Sequence, residues 1–277
     1  MAIGDTYGLR VGDFDLLFFA DGGGPRTASD FLPDAPQDEL ERIVRGLELD
    51  PETLDFSLKP ILVTAGEQHI LIDTGLGGTM SKLPASLSAN GVAPEDIELI
   101  IITHGHGDHI NGILSPVGEF VCPNADYAIW RSEWEHWTAE GRFASSNENP
   151  SKRVWEALRA NSQCVRLLDE DHPEIAPGII AVLTPGHTIG HIAVELSSNG
   201  EKLLHVADAV HHWFQFACPQ WSPKFDYDPA QAAKTRRALF ERTAAEGVLF
   251  SAYHFPFPGV GHIVERDGAL VWQPRDT

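Results

Sequence analysis

A chain of 277 residues with 40 acidic against 20 basic side chains carries a formal charge of −20, a surface that repels phosphate backbones and anionic lipid and so argues against nucleic-acid and membrane partners. Hydrophobic residues make up 43%, ample for the core of a single domain over residues 1–277. No apolar run is long enough for a membrane span, and the opening Met1-Ala2-Ile3-Gly4-Asp5 lacks the basic and apolar regions of a signal peptide, so a cytoplasmic protein is expected.

Phe14–Ala20, Leu58–Thr64 and His69–Asp73 read as strands, the last two forming a hairpin around Gly66. Residues 21–57 read as an insertion. It opens with Gly22-Gly23-Gly24-Pro25, carries a helix candidate at Gln37–Leu47 and contains the breakers Pro33, Pro36 and Pro51. A lid, an oligomer arm and an ordered loop all stay open for it. Residues 79–90 read as helical, and Pro94-Glu95-Asp96 feeds an apolar strand at 99–102.

A strand at Ala125–Trp130 and helices from Ser132 to about Glu140 and over Pro150–Asn161 follow. Their tryptophans Trp130, Trp134, Trp137 and Trp155 read mostly as core, with one or two available to wall an apolar pocket. Cys122, Cys164 and Cys218 are odd in number and lack Cys-x-x-Cys spacing, so they read as free thiols. Strands then return at Val165–Leu168, Ile179–Leu183, Ile192–Leu196 and Leu203–Ala207, the last pair joined at Asn199-Gly200. Asp228 before Pro229 is an N-cap signal for a helix that Gly247 ends. Val248–Ala252 and a hairpin on Asp267-Gly268 close the chain. Two β-rich halves with intervening helices predict sheet packed on sheet, helices outside and a site where strand ends meet.

The chemistry concentrates in Thr103-His104-Gly105-His106-Gly107-Asp108-His109, directly after the apolar strand. Neutral imidazole is a preferred zinc ligand, and alternate positions of an extended segment face one way, so His104 and His106 can share an ion. Asp108 and His109, past Gly107, can turn to a second. Further candidate ligands sit after strands in Thr184-Pro185-Gly186-His187-Thr188-Ile189-Gly190-His191, Val206-Ala207-Asp208 and Ser251-Ala252-Tyr253-His254.

Together with Leu71-Ile72-Asp73-Thr74-Gly75, these segments resemble the five-part signature of the metallo-β-lactamase superfamily, across almost the whole chain. The resemblance implies an α/β fold, an αββα sandwich of two mixed sheets. It implies one ion on His104, His106 and His187, another on Asp108, His109 and His254, and Asp208 bridging two divalent ions, zinc first. Asp73 would brace the metal loop, and His191 would support the ligands or the fold. His69, His136, His172, His205 and His262 have no such context and read as ordinary packing or surface histidines.

His106, where diiron oxidoreductase relatives carry glutamate, favours hydrolysis, and Asp208, where single-cysteine β-lactamases place a thiolate, favours a dinuclear site. Val11-Gly12-Asp13-Phe14, Pro229-Ala230-Gln231 and Phe255-Pro256-Phe257-Pro258-Gly259-Val260-Gly261-His262 resemble the branch of methyl parathion hydrolase and the dinuclear zinc lactonases. Three residues past Asp208, where quorum-quenching lactonases have tyrosine, stands His211, as methyl parathion hydrolase tends to have. The implied reaction uses a hydroxide shared by the two ions. Asp108 or Asp208 accepts a proton, and His211 hydrogen-bonds the developing oxyanion. Trp213, Phe214, Phe216, Phe255 and Phe257 follow ligands closely, and pocket lining is expected of some of them, core packing being the commoner role for each taken singly.

The leading expectation is hydrolysis of a lactone or other carboxylic ester, with a phosphotriester as the alternative. An iron-dependent persulfide dioxygenase, a nuclease and a silent binding module rank lower. The expected partner is a small ester or lactone, with a homodimer left open.

Overall fold

The computed structural model describes residues 2–3, 5–143 and 149–275; Met1 and Gly4 of the N-terminal stretch read above lie outside them. The chain opens with strands β1 (Ala2–Ile3), β2 (Thr6–Val11) and β3 (Phe14–Phe19), then β4 (Gly22–Arg26), the short helix α1 (Ala28–Phe31), α2 (Gln37–Gly46) and β5 (Leu54–Leu58). β6 (Ile61–Ala65) and β7 (Gln68–Ile72) make the expected hairpin and lead to α3 (Leu83–Ala89), β8 (Ile97–Ile101), the one-turn α4 (Gly107–Ile110), β9 (Asp126–Trp130), α5 (Arg131–Thr138), α6 (Pro150–Ala160) and β10 (Val165–Leu168). The second half runs β11 (Glu174–Ala176), β12 (Ile179–Leu183), β13 (Ile192–Ser198), β14 (Glu201–His205), α7 (Pro229–Glu246), β15 (Leu249–Ser251), β16 (Val260–Arg266) and β17 (Ala269–Pro274).

Two mixed sheets result, one of eight strands in the order β1-β2-β3-β6-β7-β8-β9-β10 and one of seven in the order β11 to β17. Period-2 alternation assigns the faces. On β7, Ile70 and Ile72 join the cluster between the sheets, while Leu71 turns outward to Leu83, Leu87, Val154, Trp155 and Leu158 of α3 and α6. On β13, Ile192, Val194 and Leu196 face the first sheet, and Ala193 joins Leu239 and Phe240 of α7 on the far side. Helices therefore cover the outer faces of a sheet-on-sheet core, as expected. The parallel pairs β7-β8, β8-β9 and β14-β15 aim the C-terminal ends of β8 and β14 at one rim, where the loops bearing the candidate ligands meet.

Several boundaries differ from the sequence reading. Leu58–Thr64 is two strands, because Lys59-Pro60 interrupts it and proline has no N–H for a ladder. The helix expected at 79–90 is shorter, starting at Leu83 with Pro84 in its first turn. β14 stops at His205, and Ala207 adopts a left-handed φ of 43°. Strands β1, β2, β4 and β11, and β5 before Leu58, have no counterpart in the sequence reading.

Residues 21–57 carry their own strand pair and apolar cluster. β4 and β5 pair antiparallel. Phe31, Leu32, Leu40, Val44, Leu54 and Phe56 bury themselves with Phe214 and Cys218 as a separate apolar cluster.

Candidate metal centre

Thr103–His109 leaves β8 at the sheet rim, and the ligand atoms are aimed by what holds each ring's other nitrogen. Thr103 Oγ1 donates to Asp73 Oδ2 at 2.7 Å and lies 3.2 Å from His104 Nδ1, which donates to it. His109 Nδ1 donates to Asp73 Oδ2 (2.7 Å), and the Thr103 amide donates to Asp73 Oδ1 (2.9 Å). Asp73 is fully buried with φ of 58°, a left-handed backbone uncommon outside glycine and found where structure over-determines it. His187 Nδ1 donates to Asp226 Oδ1 at 2.8 Å, and His254 Nδ1 to the Ser57 carbonyl at 3.0 Å. Each contact leaves Nε2 of His104, His109, His187 and His254 turned inward; His106 turns Nδ1 inward instead.

Two ligand sets converge. His106 Nδ1 lies 3.1 Å from His104 Nε2 and 2.9 Å from His187 Nε2. These three nitrogens and an Asp208 oxygen lie within 4.8 Å of one another, close enough that they could hold one ion. Asp208 Oδ2 lies 3.4 Å from His187 Nε2 and 3.8 Å from His104 Nε2. On the other side Asp108 Oδ2 is 3.4 Å from His254 Nε2 and 3.9 Å from His109 Nε2. Asp208 stands between the sets, with Oδ1 3.3 Å from His109 Nε2 and Oδ2 3.1 Å from His254 Nε2. Among the described residues, buried His109 Nε2 and Asp208 Oδ1 have no hydrogen-bond partner. Unpaired buried polar atoms are costly, and divalent ions between the two sets would satisfy both. The residues present fit a pair of metal ions, and the donor set of imidazole and carboxylate suits zinc.

The electrostatics agree. Burial pushes His104 well below its ordinary range, and His106 to about 3, leaving neutral ligands. Burial opposes charge on His109 too, yet the carboxylates of Asp208, Asp73 and Asp108 raise it well above the usual histidine value. This corner is built for positive charge. Burial disfavours ionised Asp208, but His254, His109 and His211 hold its carboxyl well below the usual carboxylate range.

His211 lines the same space, with Nε2 3.4 Å from Asp208 Oδ2 and neither ring nitrogen hydrogen-bonded among the described residues. Burial lowers it to about 4, so it is neutral at pH 7. It stacks on His254 at 5.4 Å between ring centroids. His191 stands outside the ligand sets. Its Nδ1 lies 2.8 Å from Thr184 Oγ1, and its Nε2 accepts the Asp208 amide at 3.1 Å, which holds the backbone of the central carboxylate.

A cavity of about 750 Å³ opens onto these groups. The expected aromatic lining is corrected here: Trp213, Phe214, Phe216, Phe255 and Phe257 are absent from its wall. They follow the ligands in sequence but turn under the loops. Phe216 and Phe255 join the α7-side core with Trp213 against it, Phe214 packs beneath residues 21–57, and Phe257 packs against the inter-sheet core. The wall is made instead by Pro25, Phe31, Phe56, Leu58, Leu76 and Phe225, with Arg26 at its edge. Phe31 lies 5.3 Å from His211 and 5.0 Å from Phe56 between ring centroids.

Asp226 was also missed. It sits 39 positions after His187, pairs with Arg236 at 3.1 Å, and is held at about 2 against burial by His187, His211 and Arg236. The only nearby signal was the Asp228-Pro229 cap two residues on.

The metallo-beta-lactamase superfamily model matches residues 60–254. Over 174 residues the chain is 30% identical to the N-acyl homoserine lactonase AttM of Azorhizobium caulinodans, a match spanning 59% of this chain and 61% of that relative's length. It is 29% identical to a probable metallo-hydrolase of Methanocaldococcus jannaschii, covering 73% of this chain and 86% of that one. Among solved structures, AidC, described as a dizinc quorum-quenching lactonase, superposes with a TM-score of 0.87 at 25% identity over 98% of both chains. The hydrolase AbOPH gives 0.88 at 28% identity over 100% of this chain and 99% of that one. With this match over most of its length and a cluster of histidines and aspartates that fits metal ions, the chain belongs to the metallo-beta-lactamase superfamily and is a metal-dependent hydrolase.

Proposed function

We propose that the protein hydrolyses a lactone or other carboxylic ester carrying an apolar group, using two divalent ions, zinc first. The observation that carries this reading is Asp208, whose buried carboxylate lies between the two ligand sets at the floor of an apolar cavity. The lactonases among its relatives support it. His104, His106 and His187 would hold one ion, Asp108, His109 and His254 the other, and Asp208 would serve both.

When bound, such a pair supplies a hydroxide nucleophile at neutral pH and a Lewis acid for the carbonyl oxygen. The chain's own groups do the rest. Phe31, Phe56 and Phe225 hold the apolar part of the substrate and exclude water from the floor. Asp108, the more exposed of the two candidate carboxylates, takes the proton of the attacking hydroxide and passes it to the departing alkoxide oxygen as the tetrahedral species collapses. Neutral His211 has one N–H to give, and donates it to the developing oxyanion.

One observation favours a second reading, phosphotriester hydrolysis of the methyl parathion hydrolase type: His211 rather than tyrosine faces Asp208. Purified protein of defined metal content, assayed on lactones, aryl esters, phosphotriesters and glutathione thioesters, ranks the two by kcat/KM. The first reading expects lactones or aryl esters to lead, with activity saturating at two ions per chain. Saturation at one ion, or activity confined to thioesters, would overturn it; a lead for phosphotriesters would establish the second.

A further inference from the structure

Glu133, in the first turn of α5, is fully buried, and both its carboxylate oxygens are spent on the ligand loops. Oε1 accepts the amide of Gly105 at 2.8 Å, between the candidate ligands His104 and His106. Oε2 accepts the amide of Gly190 at 2.8 Å, in the loop that carries His187 and His191. The indole of Trp137, one turn further along α5, donates to Oε1 at 2.6 Å and fixes the carboxylate's rotation. One side chain thus ties together two loops that leave different sheets, β8 of the first and β12 of the second.

The glycines on either side show how tight this junction is. A Cβ on Gly105 would run into the Trp137 indole, and one on Gly190 would meet the backbone and Cβ of Glu133. Neither glycine has a left-handed φ, so close approach rather than backbone conformation demands the missing side chain. Trp137 in turn stacks on Trp155 of α6 with centroids 6.1 Å apart and planes 4° from parallel. The clamp is anchored in the helix layer, outside the loops it holds.

The second ligand set has no such link to Glu133. Asp73 holds His109, the Ser57 carbonyl holds His254, and the Tyr253 hydroxyl donates to the Asp108 carbonyl at 2.7 Å. Asp73 reaches both sets, His109 directly and His104 through Thr103, whereas Glu133 touches only the loops of the first. Resting on the ligand assignment proposed above, we propose that Glu133 is a positioning residue that sets the distance between the His104–His106 loop and the His187 loop, and so tunes the affinity of that ion site selectively over the other.

Glu133→Gln keeps the length of the side chain but turns one acceptor oxygen into a donor, which opposes a loop amide. Competition with a chelator, read by metal content, and cadmium NMR of the dicadmium protein test the idea without reference to turnover. Wild-type protein holding two ions with two cadmium resonances establishes the starting point; a single ion there refutes the ligand assignment itself, not the clamp. In Glu133→Gln the ion on the three histidines should bind about 10–100-fold more weakly, its resonance shifting or vanishing while the other stays. Equal weakening of both ions, or no change in either, overturns the proposal. Should Glu133→Gln not fold, Trp137→Phe removes one donor to the same oxygen and keeps an aromatic ring, and the same selective loss is required of it.

Discussion

Asp208 and His211 illustrate how much of this site rests on single atoms. Asp208 reaches both ligand sets from one carboxylate, so Asp208→Ala should remove the shared ligand and lower kcat far more than it weakens substrate binding. Metal analysis and kinetics on one preparation check this, and near-normal turnover with two ions retained would remove Asp208 from the bridging position. His211 is buried and neutral, with neither ring nitrogen hydrogen-bonded among the described residues. If it donates to the oxyanion, His211→Ala should cost about 2.7–4 kcal/mol of transition-state stabilisation, as for other oxyanion donors. A packing role predicts a lower Tm with kcat intact, so unchanged kcat in fully metallated His211→Ala excludes the catalytic one.

At the scale of elements, residues 21–57 decide what the metal floor meets. α1 is a single turn that Thr27 caps by accepting the Asp30 amide at 3.0 Å, and its Phe31 stands among Phe56, Phe225 and His211. The same wall is tied to the centre. The Ser57 amide donates to the His254 carbonyl at 3.2 Å, and buried Lys59 donates to the carbonyl of Phe255. Phe31→Leu keeps an apolar residue but removes a ring from the wall. The expected result is a several-fold rise in KM for bulky apolar or aryl substrates with kcat little changed, because binding energy shared by ground and transition states is lost. A fall in kcat at constant KM would mean that Phe31 acts on the chemistry through His211.

Over the whole molecule, stability should fall in acid for reasons beyond the metal ligands. Burial lowers His205 and His212 from 6.5 to about 3. The unfolded chain takes up protons at these histidines below pH 6.5 and the folded chain does not until near pH 3, so stability rises with pH across that window. The contribution is complete above pH 6.5 and is lost as pH falls towards 3. His212→Phe, which keeps a ring among Phe56, Trp213, Phe214 and Phe255, should flatten the dependence of Tm on pH between about 6 and 4. An unchanged slope would mean that His212 is protonated in the folded state.

The sequence by itself made the sandwich legible, through its strands and its resemblance to a known family, and offered the candidate ligands as short segments that each follow a strand. A continuous apolar run such as Ile70-Leu71-Ile72 marks a strand covered on two faces, and the His-x-His-x-Asp-His run lies within six consecutive residues after β8. The cap of α7 was legible because Asp228 accepts the amide of Gln231 only three residues away. Only the tertiary structure decided which aromatic residues line the cavity, what Asp226 orients and what Glu133 ties together. Nearness in sequence to a ligand does not give direction. Phe214, Phe216 and Phe255 turn into cores, while Phe31 and Phe56 arrive from a segment more than 130 residues before the carboxylate they surround. Contacts such as His187 to Asp226 or Gly190 to Glu133 exist because two sheets bring distant loops to one rim. No spacing along the chain encodes that meeting.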